Sequence, residues 1–158
     1  MSSVCHHDHA SEGMSRAAVS AALDAAFERC ASRGDRLTPP RRRVLELLLA
    51  AGEPVKAYDL IASYGVDGEA AKPPTVYRAL EFLERQGLAH RIASISAYVA
   101  CQAGEGAHAA ALLICDCCGA TQEVSSPVAG DLGRAAGAAG YAIERTTIEA
   151  HGRCPACQ

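Results

Sequence analysis

Residues 73–87 read PPTVYRALEFLERQG. Proline favours the first turn of a helix and glycine the position beyond its end, so this stretch predicts a helix over residues 75–86. Its apolar side chains recur at helical spacing and define one buried face: Val76, Leu80 and Leu83. At about 100° per residue, Arg78 projects from the opposite face, with Thr75 beside it near the helix start. A helix with such an outer face can enter the major groove of DNA.

Three further helices are predicted before this stretch and a hairpin after it. The first begins at Ser15 and stops at Gly34, and its apolar residues form one stripe: Val19, Leu23, Ala26, Phe27 and Cys30. The second follows Thr38-Pro39 and runs to Gly52, and a short third spans residues 57–61. Two strands, residues 88–92 and 97–101, then form the hairpin. This order is typical of a winged helix-turn-helix. The alternative is a helical bundle with an arginine-bearing outer face.

The net charge of −3 is unevenly distributed along the 158 residues. Residues 1–95 carry 12 basic and 12 acidic side chains, whereas residues 96–158 carry three basic and six acidic ones. Within residues 29–43, six arginines accompany the single acid Asp35. Such a cluster can meet phosphates even in an acidic chain, although a solvated arginine-rich surface is the simpler alternative. We therefore predict that Arg41, Arg42 and Tyr58 position the DNA backbone, while Arg78 contacts a base edge or a phosphate.

The second half predicts a small α/β module. Residues 110–115 and 122–124 are expected to be strands, residues 127–139 an Ala/Gly-rich helix, and residues 141–150 a last strand. About 60 residues with few bulky apolar side chains make a marginal core, so this module needs a staple, a partner subunit, or both. The predicted organisation is a flexible His-rich tail over 1–14, a DNA-binding domain over 15–96 and a dimerisation and metal-binding domain over 97–158.

Two C-x-x-C turns, formed by Cys115, Cys118, Cys154 and Cys157, are the strongest signal in the sequence. Four thiolates complete a tetrahedral Zn²⁺ shell, which leaves no position for substrate and therefore predicts a structural site. The 35 residues between the two pairs exceed the usual ribbon spacing, so the second pair has to return through a helix and a strand. A redox dithiol, with Cys117 as an adjacent thiol, is the competing interpretation.

A second set of potential ligands lies near the junction of the two modules: His90, Cys101, His108 and Glu123. Mixed nitrogen, sulfur and oxygen ligands suit zinc. Taken singly, these residues are equally explained as a surface histidine, a buried thiol or a solvated carboxylate.

Several classes of protein are disfavoured. No apolar run approaches the roughly 20 residues that span a bilayer, and the N-terminus lacks the apolar stretch of a secretory signal. We therefore expect a cytoplasmic protein whose eight cysteines are not paired as disulfides. An enzyme is disfavoured because the chain shows no triad with a general base, no phosphate-cradling loop and no cofactor motif.

A zinc-buffering protein built around Cys5, His6, His7 and His9 is another alternative.

Six segments together resemble the ferric uptake regulator superfamily, and the resemblance covers roughly residues 15–158. In the first half they are LTPPR (37–41), AYDL (57–60), PTVYRAL (74–80) and LERQGL (83–88); in the second they are ICDCCG (114–119) and IEAHGRCPAC (148–157). Pro40 departs from the glutamine usual in the family, and Cys117 stands at a position that is commonly not cysteine. Cys101 makes the chain most similar to the zinc-sensing members, because iron and peroxide sensors build their sites without this thiolate.

The resemblance implies a homodimeric, zinc-responsive transcriptional repressor that binds palindromic operator DNA and controls zinc uptake genes. It implies about two Zn²⁺ per protomer, one structural in the four-cysteine site and one regulatory on His90, Cys101, His108 and Glu123. Tyr58 and Arg78 match positions that contact DNA, and Arg41 matches a position near the DNA backbone. The alternative within the superfamily is a sensor of iron, manganese or peroxide.

Overall fold

The structure is a computed structural model that describes residues 13–65, 69–101, 110–144 and 146–158. The described residues up to Cys101 form one compact unit, and those from Ala110 onward form another. The predicted boundary at residue 97 differs from this division, because the strand that begins there pairs with the strand before it. Within the described part of the chain, no helix is long and apolar enough to cross a membrane.

Helix α1 (Arg16–Ser32) opens the first unit. Ser15 caps it, since its hydroxyl accepts a hydrogen bond from the Ala18 backbone N–H at 3.3 Å. The predicted apolar stripe is buried at Val19, Leu23, Ala26 and Cys30. Phe27, which the sequence placed on the same stripe, is 55% exposed instead. It lies about 100° from Ala26, enough to turn its ring away from the core.

Helices α2 (Pro39–Ala51), α3 (Ala57–Ala62) and α4 (Pro73–Arg85) complete the helical part of this unit. Helix α2 ends at Gly52, whose φ of 64° is the left-handed conformation that favours glycine. Helix α4 begins at Pro73, two residues before the predicted start, because both prolines lie in its first turn. Side chains from all four helices form one hydrophobic core, which includes Leu23, Leu48, Leu60, Val76, Leu80, Phe82 and Leu83.

A three-stranded sheet closes the first unit. Strands β2 (Ala89–Ile92) and β3 (Ala97–Ala100) form the predicted hairpin, joined by a short 3₁₀ turn. Strand β1 (Val55–Lys56) pairs antiparallel with β3, in the order β1-β3-β2. Two residues are too few to show the alternation typical of a strand, so β1 is not predictable from the sequence alone.

The second unit is a three-stranded sheet with one helix. Strand β4 (Ala110–Cys115) lies in the centre, antiparallel to β5 (Thr121–Val124) and parallel to β6 (Thr147–Gly152). Helix α5 (Val128–Ala138) connects β5 to β6 along the chain. The last strand was predicted to begin at residue 141 but begins at Thr147, where its partner β4 also begins.

Candidate metal centres and nucleic-acid interface

Two turns of the second unit present the four cysteines. Cys115 ends β4, and the tight turn that follows carries Cys118 and then Gly119, whose φ is 75°. Cys154 follows β6, and Cys157 lies in a single 3₁₀ turn. Parallel pairing of β4 with β6 sets Cys115 opposite Gly152, which brings the two turns to the same end of the sheet.

The four sulfurs lie within 4.8 Å of one another. The Sγ atoms of Cys118 and Cys154 are 3.7 Å apart. Zn–S bonds of about 2.3 Å in a tetrahedron place sulfurs about 3.8 Å apart, so the arrangement fits Zn²⁺. The predicted cysteines are therefore brought together in a cluster with the dimensions of a four-thiolate metal site.

Backbone groups also prepare this cluster for a cation. The backbone N–H groups of Cys118 and Cys154 lower the pKa of the Cys115 thiol from its usual 9.0 to about 6, even though burial opposes ionisation. Burial raises the pKa of the Cys157 thiol to about 12. A thiol of that kind gives up its proton when a metal binds, so the cluster combines one ready thiolate with at least one thiol that ionises on metal binding.

A polar pair beside the cluster joins the same two turns. His151 Nδ1 lies 3.0 Å from Asp116 Oδ1, and the Asp116 backbone N–H donates to the Gly152 carbonyl at 2.8 Å. The aspartate raises the pKa of the His151 ring above its usual 6.5, because the carboxylate favours the charged imidazolium. The sequence analysis did not single out this pair. The signal available was an Asp inside one C-x-x-C turn and a His three residues before the other.

The second predicted ligand set is distributed over both units. His90 lies on β2 opposite Val99, and the Cys101 backbone N–H donates to the Leu88 carbonyl just beyond the end of β3. Residues two apart on a strand share a face, so Cys101 lies on the His90 side of the hairpin. A ring nitrogen of His90 and the Sγ of Cys101 lie within 4.8 Å of each other. Glu123 lies on β5 opposite Leu112 in the second unit, and His108 is outside the described residues.

The predicted DNA-contacting side chains lie on α3 and α4. Tyr58, in the first turn of α3, is 78% exposed. Arg78 is exposed in the second turn of α4, and Thr75 is half-buried in the first. Tyr77 beside Arg78 is also exposed, at 53%. The N-terminal half of α4 therefore presents polar and aromatic side chains outward, while its opposite face packs into the core.

The three arginines of α2, which include the predicted phosphate-binding residues Arg41 and Arg42, have different surroundings. Arg42 is 3.5 Å from Asp24, and the Arg42 side chain is 41% exposed whereas that of Asp24 is 69% exposed. The Arg41 guanidinium carbon lies 3.6 Å from the centroid of the Phe82 ring, and its NH1 donates to the Arg36 carbonyl at 2.6 Å. Arg43 donates to Glu46 and to the Ser63 and Tyr64 carbonyls that follow α3.

Residues 32–151 match the sequence profile of the Ferric uptake regulator family. The matched stretch includes most of both units and the Cys115–Cys118 turn. This chain belongs to the ferric uptake regulator family.

Individual members of the family are also similar to the chain. The zinc uptake regulation protein of Escherichia coli (strain K12) is 42% identical over 130 residues, which cover 81% of this chain and 76% of that protein. A solved structure of a zinc uptake regulator complexed with zinc and DNA is 40% identical, with a TM-score of 0.78 over 87% of this chain and 93% of that one. A crystal structure of holo XcZur is 41% identical, with a TM-score of 0.74 over 85% of this chain and 94% of that one.

Membership of the ferric uptake regulator family confirms the α+β fold expected from the sequence. The resemblance inferred from the sequence motifs is thereby confirmed, and zinc uptake regulators are 40% to 42% identical to this chain. Independently of these relatives, the four cysteine sulfurs of this chain are arranged with dimensions that fit zinc.

Proposed function

We propose that this protein is a zinc-responsive transcriptional repressor, which binds operator DNA as a homodimer when its regulatory site holds zinc and thereby controls zinc uptake genes. The observation that carries the proposal is the pairing of His90 with Cys101 on the hairpin that directly follows α4. A soft thiolate beside an imidazole selects zinc over iron or manganese, which prefer harder donors. The similarity to zinc uptake regulators supports the same assignment.

We assign the first unit as a winged helix-turn-helix. Its order α2–β1–α3–α4–β2–β3, with the β2–β3 hairpin as the wing, supports this assignment. In such a domain the last helix before the hairpin enters the major groove with its N-terminal residues toward the bases. Helix α4 therefore acts as the recognition helix.

The DNA contacts proposed for this domain come from side chains that are exposed or half-buried. Arg78 and Thr75 on α4 face the groove, where an arginine can donate two hydrogen bonds to guanine. Tyr58 on α3 and Arg42 on α2 meet the phosphate backbone. Arg41 was predicted to do the same, but its contacts with Phe82 indicate another role, argued in the next subsection.

We propose two Zn²⁺ per protomer. Cys115, Cys118, Cys154 and Cys157 hold the structural ion, which joins the two cysteine turns at one end of the second sheet. His90, Cys101, His108 and Glu123 hold the regulatory ion. Because these ligands come from both units, coordination restricts the movement of one unit relative to the other. Only the restricted arrangement matches two half-sites, so zinc and DNA each favour the same conformation.

The second unit is proposed to form the dimer interface. Helix α5 has no buried residue, and apolar side chains of this unit remain exposed in the single chain: Leu113, Val128, Leu132, Tyr141 and Ile143. A second copy would cover them, as the small core of this unit requires. Two-fold symmetry then matches a palindromic operator.

The proposed function does not include catalysis. Four cysteines occupy every position of a tetrahedral zinc shell, so the structural ion has no open position for a substrate or an activated water. The regulatory set likewise supplies four protein ligands. Zinc in both sites would act through the geometry it imposes.

The deciding experiment is a zinc titration of DNA binding. Duplexes are selected from a random library with zinc-loaded protein, and the affinity of the best duplex is measured in excess zinc and in excess chelator. We expect the chelator to weaken binding to the duplex at least tenfold. When metal is added back at equal concentration, Fe²⁺ or Mn²⁺ should restore less of the DNA affinity than Zn²⁺ does. Equal affinity with and without the chelator would contradict the proposal.

A further inference from the structure

Arg41 lies between two other parts of the first unit. The carbon at the centre of its guanidinium is 3.6 Å from the centroid of the Phe82 ring on α4, the distance of a close stack. Its NH1 donates to the Arg36 carbonyl at 2.6 Å in the loop between α1 and α2. The guanidinium therefore uses one flat side and one donor within the protein.

Phe82 connects this contact to the recognition helix. It lies one helical turn after Arg78 on α4 and is only 1% exposed. The guanidinium carbon of Arg85 lies 5.7 Å from the same ring centroid. Because α4 is a continuous helix, any force that fixes the Phe82 ring also fixes the position from which Arg78 projects.

The Arg36 carbonyl connects the same guanidinium to the start of α2. This carbonyl also accepts a hydrogen bond from the Thr38 backbone N–H at 3.1 Å. Thr38 is the N-cap residue of α2, and its side chain makes no capping hydrogen bond. Arg41 thus supplies a hydrogen bond to the turn that leads into its own helix and stacks at the same time on the helix opposite.

We propose that Arg41 is a positioning residue for DNA recognition, which holds α4 against α2 through the Phe82 ring instead of binding a phosphate. This inference rests on the proposed DNA-binding function. It separates Arg41 from Arg42, its sequence neighbour, whose guanidinium is partnered only by the exposed Asp24 at 3.5 Å among the contacts described.

The test uses substitutions that separate charge from shape. Arg41→Lys keeps the positive charge but removes the planar group that stacks on Phe82, whereas Arg41→Gln removes the charge as well. Zinc-loaded protein is titrated against the selected duplex at several salt concentrations between about 50 and 200 mM. Arg16→Lys and Arg16→Gln, at the exposed start of α1, are the matched controls.

We expect Arg41→Lys and Arg41→Gln to weaken binding by a similar factor of about five to thirty, with an unchanged dependence of affinity on salt. In a Phe82→Leu background, Arg41→Lys should weaken binding no further, because the stacking partner is already gone. Zinc content and thermal unfolding identify any variant that fails to fold. If Phe82→Leu does not fold, the comparison of Arg41→Lys with Arg41→Gln still decides whether Arg41 positions α4 or binds a phosphate.

The opposite pattern would overturn the inference. If Arg41→Lys binds like the parent protein and Arg41→Gln lowers the salt slope by about one, Arg41 contacts a phosphate. If the parent protein itself shows no zinc-dependent DNA binding in the same titration, the proposed function fails rather than the role of Arg41.

Discussion

The backbone N–H of Cys154 donates a hydrogen bond to the sulfur of Cys115 over 3.3 Å. The two residues belong to different C-x-x-C turns, so this bond joins the turns through protein groups alone. The backbone N–H of Cys118 and, after it, this bond from Cys154 lower the pKa of the Cys115 thiol to about 6. The site therefore holds one sulfur against a backbone donor that favours its thiolate form, the form that binds a metal.

Loss of one structural ligand should unfold the second unit. We expect Cys154→Ser to lower the zinc content by about one ion per chain and to abolish the cooperative thermal transition of this unit, because structural zinc supplies folding free energy to small domains. Zinc analysis and circular dichroism measure the two effects. Cys30→Ala, which changes a buried thiol of the first unit, is the control and should retain all the zinc. Parental zinc content in Cys154→Ser would contradict the four-cysteine assignment.

Loss of the regulatory thiol should abolish the dependence of DNA binding on zinc. Cys101→Ser should keep the structural ion and the dimer but lose the zinc-dependent part of its DNA affinity, since serine is a poor zinc ligand at neutral pH. A zinc titration of DNA binding beside a sedimentation measurement tests both halves of this statement. A variant that still responds to zinc at the parental concentration would remove Cys101 from the site.

Arg78 should determine sequence preference as well as affinity. We expect Arg78→Ala to cost about 1–3 kcal/mol of binding free energy on the preferred duplex and to reduce discrimination at one base pair, as for an arginine that donates to guanine. Affinities for a panel of single-base variants of the duplex provide the measurement. An equal loss on every duplex, with a smaller salt slope, would instead assign Arg78 to a phosphate.

A charge placed on the exposed face of α5 should weaken the dimer. Leu132 is 48% exposed in the single chain, so Leu132→Glu should leave the protomer folded but shift sedimentation toward the monomer. Arg134→Glu provides the control on the same helix, because the Arg134 side chain is 77% exposed. If both variants remain dimeric at low protein concentration, the interface lies elsewhere.

Alkaline pH should destabilise the first unit. Burial raises the pKa of the Cys30 thiol above its usual 9.0 and that of the Tyr98 hydroxyl above its usual 10.0. Both groups are neutral when buried, so their contribution to stability is complete below the unfolded-state pKa and is lost as the pH rises through the folded-state pKa. Urea unfolding at about pH 8 and about pH 10.5 should show a decline that is smaller in Cys30→Ala. A pH-independent midpoint would contradict this account.

The helices of the first unit were predictable because their ends carry strong local signals. Thr38-Pro39 and Gly52 delimit α2, and α1 begins at Arg16, one residue after the predicted start at Ser15. Phe27 was assigned to the core wrongly, because an apolar residue next to a helical stripe cannot be told from a member of the stripe by spacing alone. Strand β1 was missed because pairing with β3, which is distant in sequence, defines it.

The residues of the two metal sites differ in how far the sequence alone predicts them. Paired cysteines at fixed spacing identified the four-cysteine cluster, and the structure brings those sulfurs together. Cys101 has no such spacing signal, so its assignment depended on resemblance to a family. The Asp116–His151 pair and the stack of Arg41 on Phe82 depend on which segments become neighbours after folding, and spacing along the chain does not encode that.

The β4–β5 hairpin carries a structural-zinc turn at one end and Glu123 three residues into its second strand. Glu123 can reach its place opposite Leu112 only when that turn has formed. Zinc in the four-cysteine site would stabilise that turn beyond the hydrogen bond that Cys154 donates to Cys115, so we expect the two proposed sites to fill in order, the four-cysteine site first and the sensor second. Each newly made copy would then bind one zinc ion in the four-cysteine site before its sensor responds, so the amount of repressor itself sets part of the demand for the metal that it reports.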